Sequence, residues 1–157
     1  MLTQTKIPES VLVVIYTPEL DVLLLERADR PGYWQSVTGS KDRVDEPLRE
    51  TAIREVGEET GIAVGGPFVP ADRLRDWDTQ TVYEIYPVWR HRYASGVTHN
   101  TEHVFAVEVP RQIEITLAPR EHLDYEWLPW REAAGRVFSW TNAEAIRELA
   151  ERRKNSE

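Results

Sequence analysis

The sequence predicts an α/β fold in which helices cover both faces of a mixed β-sheet. Two observations lead to this prediction. The predicted elements follow one another as strands, helix, strands and helix, and the first strands are short runs of β-branched residues typical of buried strands. Because 157 residues are enough for a hydrophobic core and no repeat or linker divides them, we expect a single domain over residues 1–157.

Three strands are predicted before the first helix. SVLVVIYT (10–17) and VLLLERA (22–28) flank the turn PELD, so they predict two neighbouring strands. The breakers in DRPGYW predict a loop, and QSVTGS predicts a short strand that ends in a glycine turn.

A helix is predicted from about Asp45 to Thr60. Pro47 suits its first turn, where the missing N–H costs nothing, and Gly61 suits the residue just beyond its end. Spaced at 100° per residue, the helix has an apolar stripe and an adjacent acidic stripe.

The rest of the chain is predicted to be mainly β-structure. Residues 80–94 alternate in polarity, residues 101–110 and 112–117 predict two further strands, and residues 122–130 predict one more. A final helix is expected to open with a capping box formed by Thr141 and Glu144.

Composition excludes several classes of protein. The net charge of −8 and the pI near 5.1 argue against nonspecific binding to a nucleic-acid polymer. With no cysteine there is neither a disulfide framework nor thiol chemistry, and the four histidines lack the pairing of a zinc site. The longest apolar run is too short to span a membrane, and the N-terminus lacks the apolar region of a signal peptide. We therefore expect a cytoplasmic protein with no membrane or obligate protein partner.

The acidic stripe of the predicted helix consists of Glu55, Glu58 and Glu59. Like charges three or four residues apart on a helix repel, and on helix physics alone a solvated surface face is the favoured interpretation. The alternative is a site for a hard cation such as Mg²⁺, which prefers carboxylate and phosphate oxygens and would cancel the repulsion.

The spacing of the residues around the acidic stripe favours the second interpretation, a cation site. The stretch GSKDRVDEPLRETAIREVGEETGI (39–62) resembles the Nudix box, G-x5-E-x7-R-E-U-x-E-E-x-G-U, where U is aliphatic. The matching residues are Glu46, Arg54, Glu55, Val56, Glu58, Glu59, Gly61 and Ile62. One departure occurs at the start, where six residues separate Gly39 from Glu46, so either the loop is one residue longer or Asp45 replaces the glutamate. We favour the longer loop, because it leaves the helical register intact.

The resemblance implies an α/β/α sandwich with a loop–helix–loop catalytic box, and hydrolysis of a nucleoside diphosphate linked to another group. It implies that Glu55 and Glu59 bind Mg²⁺, with Mn²⁺ as a possible substitute, that Glu58 helps to bind metal or position water, and that Arg54 orients the glutamates. The chemistry is consistent, because phosphoryl transfer depends on positioning and charge neutralisation.

Segments outside the box resemble one branch of the family. SVLVVIY, YWQSVTGS, EIYPVWRHRYASGVTHNTEHVFAVEVP and EHLDYEWL are similar to the bacterial members of folate biosynthesis that convert 7,8-dihydroneopterin 3′-triphosphate to the monophosphate and pyrophosphate. This resemblance implies a remote metal ligand at Glu121, whereas Glu102 is not expected to take part. It implies substrate contacts from Lys6, Arg27, Thr38, Tyr83, Glu84, Ile85, Tyr86 and Ser139. Without the resemblance, each of these is an ordinary surface or core residue.

Other functions remain open from the sequence. One is a general (d)NTP pyrophosphohydrolase acting on dATP or modified nucleotides, because the box handles phosphates and not the base. A second is a noncatalytic nucleotide-binding module, although Arg54 and all three glutamates of the stripe are present. A third is an acidic helix that docks a basic partner.

Overall fold

The computed structural model describes residues 5–156. Its strands and helices are β1 (Glu9–Tyr16), β2 (Asp21–Arg27), β3 (Trp34–Gln35), β4 (Val37–Ser40), α1 (Leu48–Thr60), β5 (Leu74–Glu84), β6 (His99–Glu108), β7 (His122–Pro129), α2 (Trp130–Arg136) and α3 (Trp140–Ser156). Two 3₁₀ turns, Ala71–Arg73 and Pro87–Arg92, flank β5. Residues 1–4 and 157 of the expected domain lie outside the described residues.

The strands form one mixed sheet. Its main path runs β3–β2–β1–β6–β5, while β4 pairs with β1 and β7 pairs with β2. The pairing of β1 with β6 is parallel over the full length of β1, and the other pairings are antiparallel. The predicted mixed sheet is therefore confirmed.

Helices cover both faces of this sheet. Alternate residues of β1 point to opposite sides, so Val11 and Val13 pack with Val56 of α1, while Leu12 and Val14 pack with Ile146 of α3. Helix α2 lies on the second face as well, where its Ala133 and Ala134 are buried. The predicted α/β/α sandwich is confirmed, and α1 is held on one face by its apolar stripe.

Helix α1 begins later than predicted and ends as predicted. Pro47 is its N-cap residue and not part of the first turn, since the preceding residues form a turn in which Glu46 N–H donates to Arg43 O at 3.1 Å. At the other end, Gly61 has φ = 77° and its N–H donates to Gly57 O at 2.9 Å. A left-handed conformation of this kind favours glycine.

Two of the strand predictions were wrong. Residues 112–117 form no strand, because Ile113, Ile115 and Leu117 pack from outside the sheet onto the core beneath α1. Strand β5 ends at Glu84 and residues 87–92 form a 3₁₀ turn, since Pro87 has no N–H to donate to a neighbouring strand.

The start of α3 also differs from the prediction. The helix begins at Trp140, and Asn142 N–H donates to Ser139 Oγ at 3.4 Å, so Ser139 serves the N-terminus in place of the expected Thr141–Glu144 box. Within the range that the structure covers, no helix is both long and apolar enough to cross a membrane.

Candidate active site

A cleft of about 520 Å³ opens where β4, α1 and the turn before β7 meet. Both acidic and basic residues line it. The lining includes Lys6, Arg27, Asp29, Thr38, Gly39, Glu55, Glu59, Arg92, Arg120, Glu121 and His122. Of the residues predicted at the site, it therefore brings together three carboxylates, two basic residues and one hydroxyl.

The guanidinium of Arg54 organises the loop that precedes α1. Arg54 donates to both oxygens of Glu46, to Glu55 Oε1 at 2.7 Å and to the backbone oxygen of Ser40 at 3.0 Å. A longer contact of 3.4 Å reaches Glu58. The planar fork of donors suits this role, because it can serve several carboxylates in fixed directions.

The buried acid of the loop is Glu46, not Asp45. Glu46 is 4% exposed and also accepts hydrogen bonds from Asp42 N–H at 2.9 Å and Thr51 Oγ1 at 2.8 Å. Arg54 is the largest cause that lowers its pKa to about 2. Asp45 instead has an 85% exposed side chain and pairs with Arg43 at the surface. The structure thus supports the interpretation of a loop longer by one residue.

Glu55 and Glu59 face each other at the floor of the cleft. Burial is the main cause that raises the pKa of both carboxyls, and the negative charges of Glu55 and Glu121 raise the pKa of Glu59 further. Gly39 of β4 lies directly against Glu55, since a Cβ at position 39 would overlap that carboxylate. The glycine of the box is therefore needed for the side chain of Glu55 to reach the cleft.

Glu121 lies on the opposite wall, in a turn held by three backbone hydrogen bonds. Glu121 N–H and His122 N–H both donate to Ala118 O at 3.0 Å, and Ala28 N–H donates to Glu121 O at 2.9 Å. The Glu121 side chain is exposed, whereas His122 is buried with its Nε2 3.5 Å from Glu59 Oε1. Burial is the main cause that lowers the pKa of His122 to about 4, so its ring is neutral near pH 7.

The donor chemistry of this wall and floor fits a hard divalent cation. Among residues 5–156, no three acidic or histidine side chains converge as a ready-made metal group. However, Glu59 Oε1 is buried with no hydrogen-bond partner, and the carboxylates of Glu55 and Glu121 face the same space. Carboxylate oxygens of this kind are the ligands that Mg²⁺ or Mn²⁺ takes.

Asp29 binds two of the basic residues of the cleft, Arg27 and Arg92. Its carboxylate accepts two hydrogen bonds from Arg27 at 2.8 Å, one from Arg92 at 2.7 Å and one from the indole of Trp89 at 3.0 Å. The Arg27 hydrogen bonds are the main cause that holds the pKa of Asp29 well below its usual range. Lys6 also lines the cleft, and burial, together with Arg92 and Arg27, lowers its pKa.

A second pocket of about 90 Å³ adjoins the cleft and is aromatic. The two cavities share Lys6, Arg27, Gln35, Thr38 and Arg92. The remaining lining residues are Leu12, Tyr83, Ile85, Tyr86, Trp89, Tyr93, Glu102, Phe138, Ser139 and Asn142. Tyr86, Trp89 and Phe138 pack against one another with ring centroids 5.5–5.8 Å apart. Such a wall offers ring faces and edges to a flat heterocycle.

Three predicted site residues, Arg54, Glu58 and Glu84, lie outside the lining of both cavities. The Glu84 side chain is 68% exposed and pairs with Arg90 Nη2 at 2.7 Å, because alternation along β5 turns it away while Tyr83 and Ile85 point inward. Assigning Glu84 to the base pocket is therefore corrected. The Glu58 side chain is 55% exposed and lies at the rim next to Arg54.

Several side chains at these cavities were not predicted from the sequence. Asp29, His122 and Glu102 sit in a loop or in strands whose local sequence predicts nothing special. Glu102 is 4% exposed and lines the aromatic pocket, a place that the sequence did not predict for it. The one available signal was a carboxylate inside a predicted strand, close to the apolar run VFAV, where a buried charge is costly.

Comparison with known proteins gives consistent matches over most of the chain. The family model described as NUDIX domain matches residues 6–151. The chain is 43% identical to the dihydroneopterin triphosphate diphosphatase of Escherichia coli K12 over 147 residues, covering 92% of this chain and 93% of that protein. It is 40% identical to the enzyme of the same name from Haemophilus influenzae over 148 residues, with 94% and 90% covered.

A solved structure also matches. The E. coli dihydroneopterin triphosphate pyrophosphohydrolase aligns with a TM-score of 0.83 and 42% identity, covering 93% of this chain and 97% of that one. These matches extend well beyond the acidic loop and helix, into β5, β6 and α3, which carry the aromatic pocket.

Proposed function

The chain belongs to the Nudix family, and on that premise we propose that it is a pyrophosphohydrolase that converts 7,8-dihydroneopterin 3′-triphosphate to the monophosphate and pyrophosphate. This reaction belongs to folate biosynthesis. One observation carries the proposal: a charged cleft joins an aromatic pocket through shared basic residues, in a chain 43% identical to enzymes named for that substrate. Together the two cavities have the size of a typical small-molecule site, roughly 300–1000 Å³.

The triphosphate is assigned to the larger cleft. Lys6, Arg27 and Arg92 line both cavities, so they lie where the phosphate chain and the ring of one ligand would meet. Arg27 is oriented by Asp29 and Gln35, with its Nη1 donating to Gln35 Oε1 at 3.0 Å. A guanidinium fixed in this way can bind phosphate oxygens without first losing side-chain freedom.

Divalent metal ions are used by Nudix hydrolases in general, and we propose Mg²⁺ here, with Mn²⁺ as a substitute. Glu55, Glu59 and Glu121 are the residues that would hold it. When bound, the cation would neutralise phosphate charge and lower the pKa of water. Arg54 acts by positioning, because it binds Glu55 directly and fixes the loop through Glu46.

The heterocycle is assigned to the aromatic pocket. Tyr83 and Ile85 form one wall, Tyr86 and Phe138 another, and Ser139 stands at the start of α3. Burial is the main cause that raises the pKa of Tyr83, so its hydroxyl stays protonated and available as a donor. Ring stacking alone does not choose between a pterin and a purine, because both present flat faces.

The test is a pyrophosphate-release assay with dihydroneopterin triphosphate, dGTP and dATP, with and without Mg²⁺. We expect the highest kcat/KM for the pterin and no turnover after exhaustive chelation. A much higher kcat/KM for dATP than for the pterin would favour a general nucleotide hydrolase. That function is the second candidate, because the chain is 43% identical to enzymes named for the pterin. Ligand binding without any turnover would identify a noncatalytic module.

The proposed partner is the small-molecule triphosphate alone. We place the reaction in the cytoplasm, since a chain without cysteine suits a reducing compartment.

A further inference from the structure

Glu102 is a buried carboxylate that the phosphate chemistry does not use. It lies on β6 opposite Ser10 of β1, on the sheet face covered by α3, and is 4% exposed. The residue lines the aromatic pocket, and its buried Oε1 has no hydrogen-bond partner. A buried carboxylate oxygen without a hydrogen-bond partner costs stability, so a donor that arrives with the ligand would offset this cost.

The surroundings of Glu102 favour acceptance of hydrogen bonds. Asn142 N–H donates to Ser139 Oγ, and Ser139 Oγ lies 2.8 Å from Thr141 Oγ1. Thr141 in turn hydrogen-bonds the carboxyl of Glu102. Because a backbone N–H can only donate, this chain is consistent with each hydroxyl passing its own hydrogen onward, ending at an ionised Glu102.

Burial opposes that ionisation and raises the pKa of Glu102 to about 7, with the Thr141 hydrogen bond acting in the other direction. Tyr83 and Ser139 face the same pocket, and Lys6, Arg27 and Arg92 line its opening. A ligand that presents N–H donors to the free oxygen would therefore hold the carboxyl in its anionic form.

We infer that Glu102 reads the heterocycle by accepting hydrogen bonds from a ring N–H and an adjacent exocyclic amino group. The 2-amino-4-oxopyrimidine ring of a pterin carries these two donors side by side, and guanine carries the same pair. Adenine carries one amino donor beside a ring nitrogen that can only accept, so an ionised Glu102 would repel it. The structure thus assigns Glu102 as a specificity-determining residue for donor–donor edges.

The identity of the pterin rests on the proposed function, but the comparison of guanine with adenine does not. Sites built to hydrogen-bond a ligand edge discriminate strongly, because the wrong ligand leaves buried polar groups unpaired. Glu102→Gln supplies a direct test, since an amide offers one donor and one acceptor and so matches the edge of adenine.

The experiment measures kcat/KM for dihydroneopterin triphosphate, dGTP and dATP at about pH 8.5, above the pKa of about 7 of Glu102. In the wild-type protein we expect dGTP to exceed dATP. In Glu102→Gln we expect the dGTP-to-dATP ratio to fall by at least ~10-fold, as for the loss of one charged hydrogen bond. The kcat/KM for the pterin should fall together with that for dGTP, while the kcat/KM for dATP should stay the same or rise.

The matched control is Glu144→Gln, which removes the same charge from an exposed position of α3 and should leave all three ratios unchanged. Glu102→Asp, which keeps the charge but shortens its reach, should lower dGTP and pterin turnover without improving dATP. If Glu102→Gln lowers the three substrates equally, the role is structural and the inference is overturned. If dGTP exceeds dATP and responds to the substitution but the pterin is not a substrate, the proposed function fails and the role of Glu102 stands.

Discussion

Arg54 and Glu46 form a bidentate ion pair at the base of the acidic loop. Arg54 Nε lies 3.1 Å from Glu46 Oε2, and Arg54 Nη2 lies 3.0 Å from Glu46 Oε1. The Glu46 side chain is 5% exposed and that of Arg54 is 21% exposed, so solvent screens this pair weakly. Since Arg54 also contacts Glu55, the pair connects the fold of the loop to the floor of the cleft.

Glu46→Gln should therefore weaken both stability and activity. We expect the free energy of unfolding to fall by about 1–3 kcal/mol near pH 7, because a neutral amide cannot accept every donor that Glu46 serves. Since the folded pKa of Glu46 is depressed to about 2, its contribution is present above its usual value of 4.5 and is lost as pH falls towards 2. The difference from wild type, measured by urea unfolding, should narrow over that interval.

The control for this prediction is Asp45→Asn, whose side chain is 85% exposed. It should leave unfolding and kcat within error of the wild type. An equal effect from the two substitutions would contradict the assignment of Glu46 as the acid of the loop.

Glu59→Gln should separate folding from catalysis. The carboxyl of Glu59 is 2% exposed and lies near Glu55 and Glu121, so a neutral side chain removes burial cost and repulsion. We expect Tm in EDTA to be unchanged or higher, while kcat falls by at least ~10²-fold from weaker metal binding. Thermal unfolding and pyrophosphate release measure the two effects, and near-normal kcat would argue against a metal role.

Deletion of Val44 should be tolerated by the fold. Val44 is 78% exposed in the loop before α1, and its removal restores five residues between Gly39 and Glu46. We expect the free energy of unfolding to stay within about 1 kcal/mol and kcat to change, because the loop positions the residues around Arg54. Loss of folding would show that the longer loop supports the core.

Asp29→Asn should raise KM for the triphosphate more than it lowers kcat. The amide keeps the shape of Asp29 but loses the charge that holds Arg27 and Arg92, which line the junction of the two cavities. An increase in KM of ~10-fold is expected for weakened charge-assisted hydrogen bonds. Asp72→Asn, exposed and outside both cavities, is the control and should alter neither parameter. If Asp29→Asn lowers kcat as much as it raises KM, or if Asp72→Asn changes KM equally, the positioning role of Asp29 is refuted.

Those parts of the fold that depend on local sequence patterns could be predicted from the sequence. The buried strand β1, the acidic helix α1 and the αL position of Gly61 all follow from periodicity and residue type within a short window. The strand predicted at residues 112–117 failed because Ile113 and Ile115 pack onto the core that α1 covers without pairing with a neighbouring strand. Alternation reports burial on one side, whatever the packing partner is.

The residues of the site also fall into a group that the sequence predicted and a group that it did not. The helix fixes the relative positions of Arg54, Glu55 and Glu59, so spacing was sufficient to group them. Asp29 and Glu102 lie in a loop and a strand outside this helix. Trp89 and Arg92, which bind Asp29, are 60 or more residues away, and Oε1 of Glu102 has no hydrogen-bond partner. Only the three-dimensional arrangement shows that Asp29 orients the basic residues and that Glu102 is buried beside the aromatic rings.

The last prediction concerns Glu121, which lies in a different part of the chain from α1 and faces Glu59 across the cleft. Carboxylates on one helix approach a cation from one side, so an opposing oxygen ligand would complete its enclosure. The turn around Glu121 is fixed by backbone hydrogen bonds, while its side chain is exposed. Glu121→Gln should therefore leave the free energy of unfolding within about 1 kcal/mol of wild type. It should also lower kcat and raise the Mg²⁺ concentration for half-maximal activity. Glu114→Gln, exposed in the preceding loop and away from the cleft, should do neither. If Glu121→Gln retains the Mg²⁺ dependence of the wild type, the cation is held by α1 and the substrate alone.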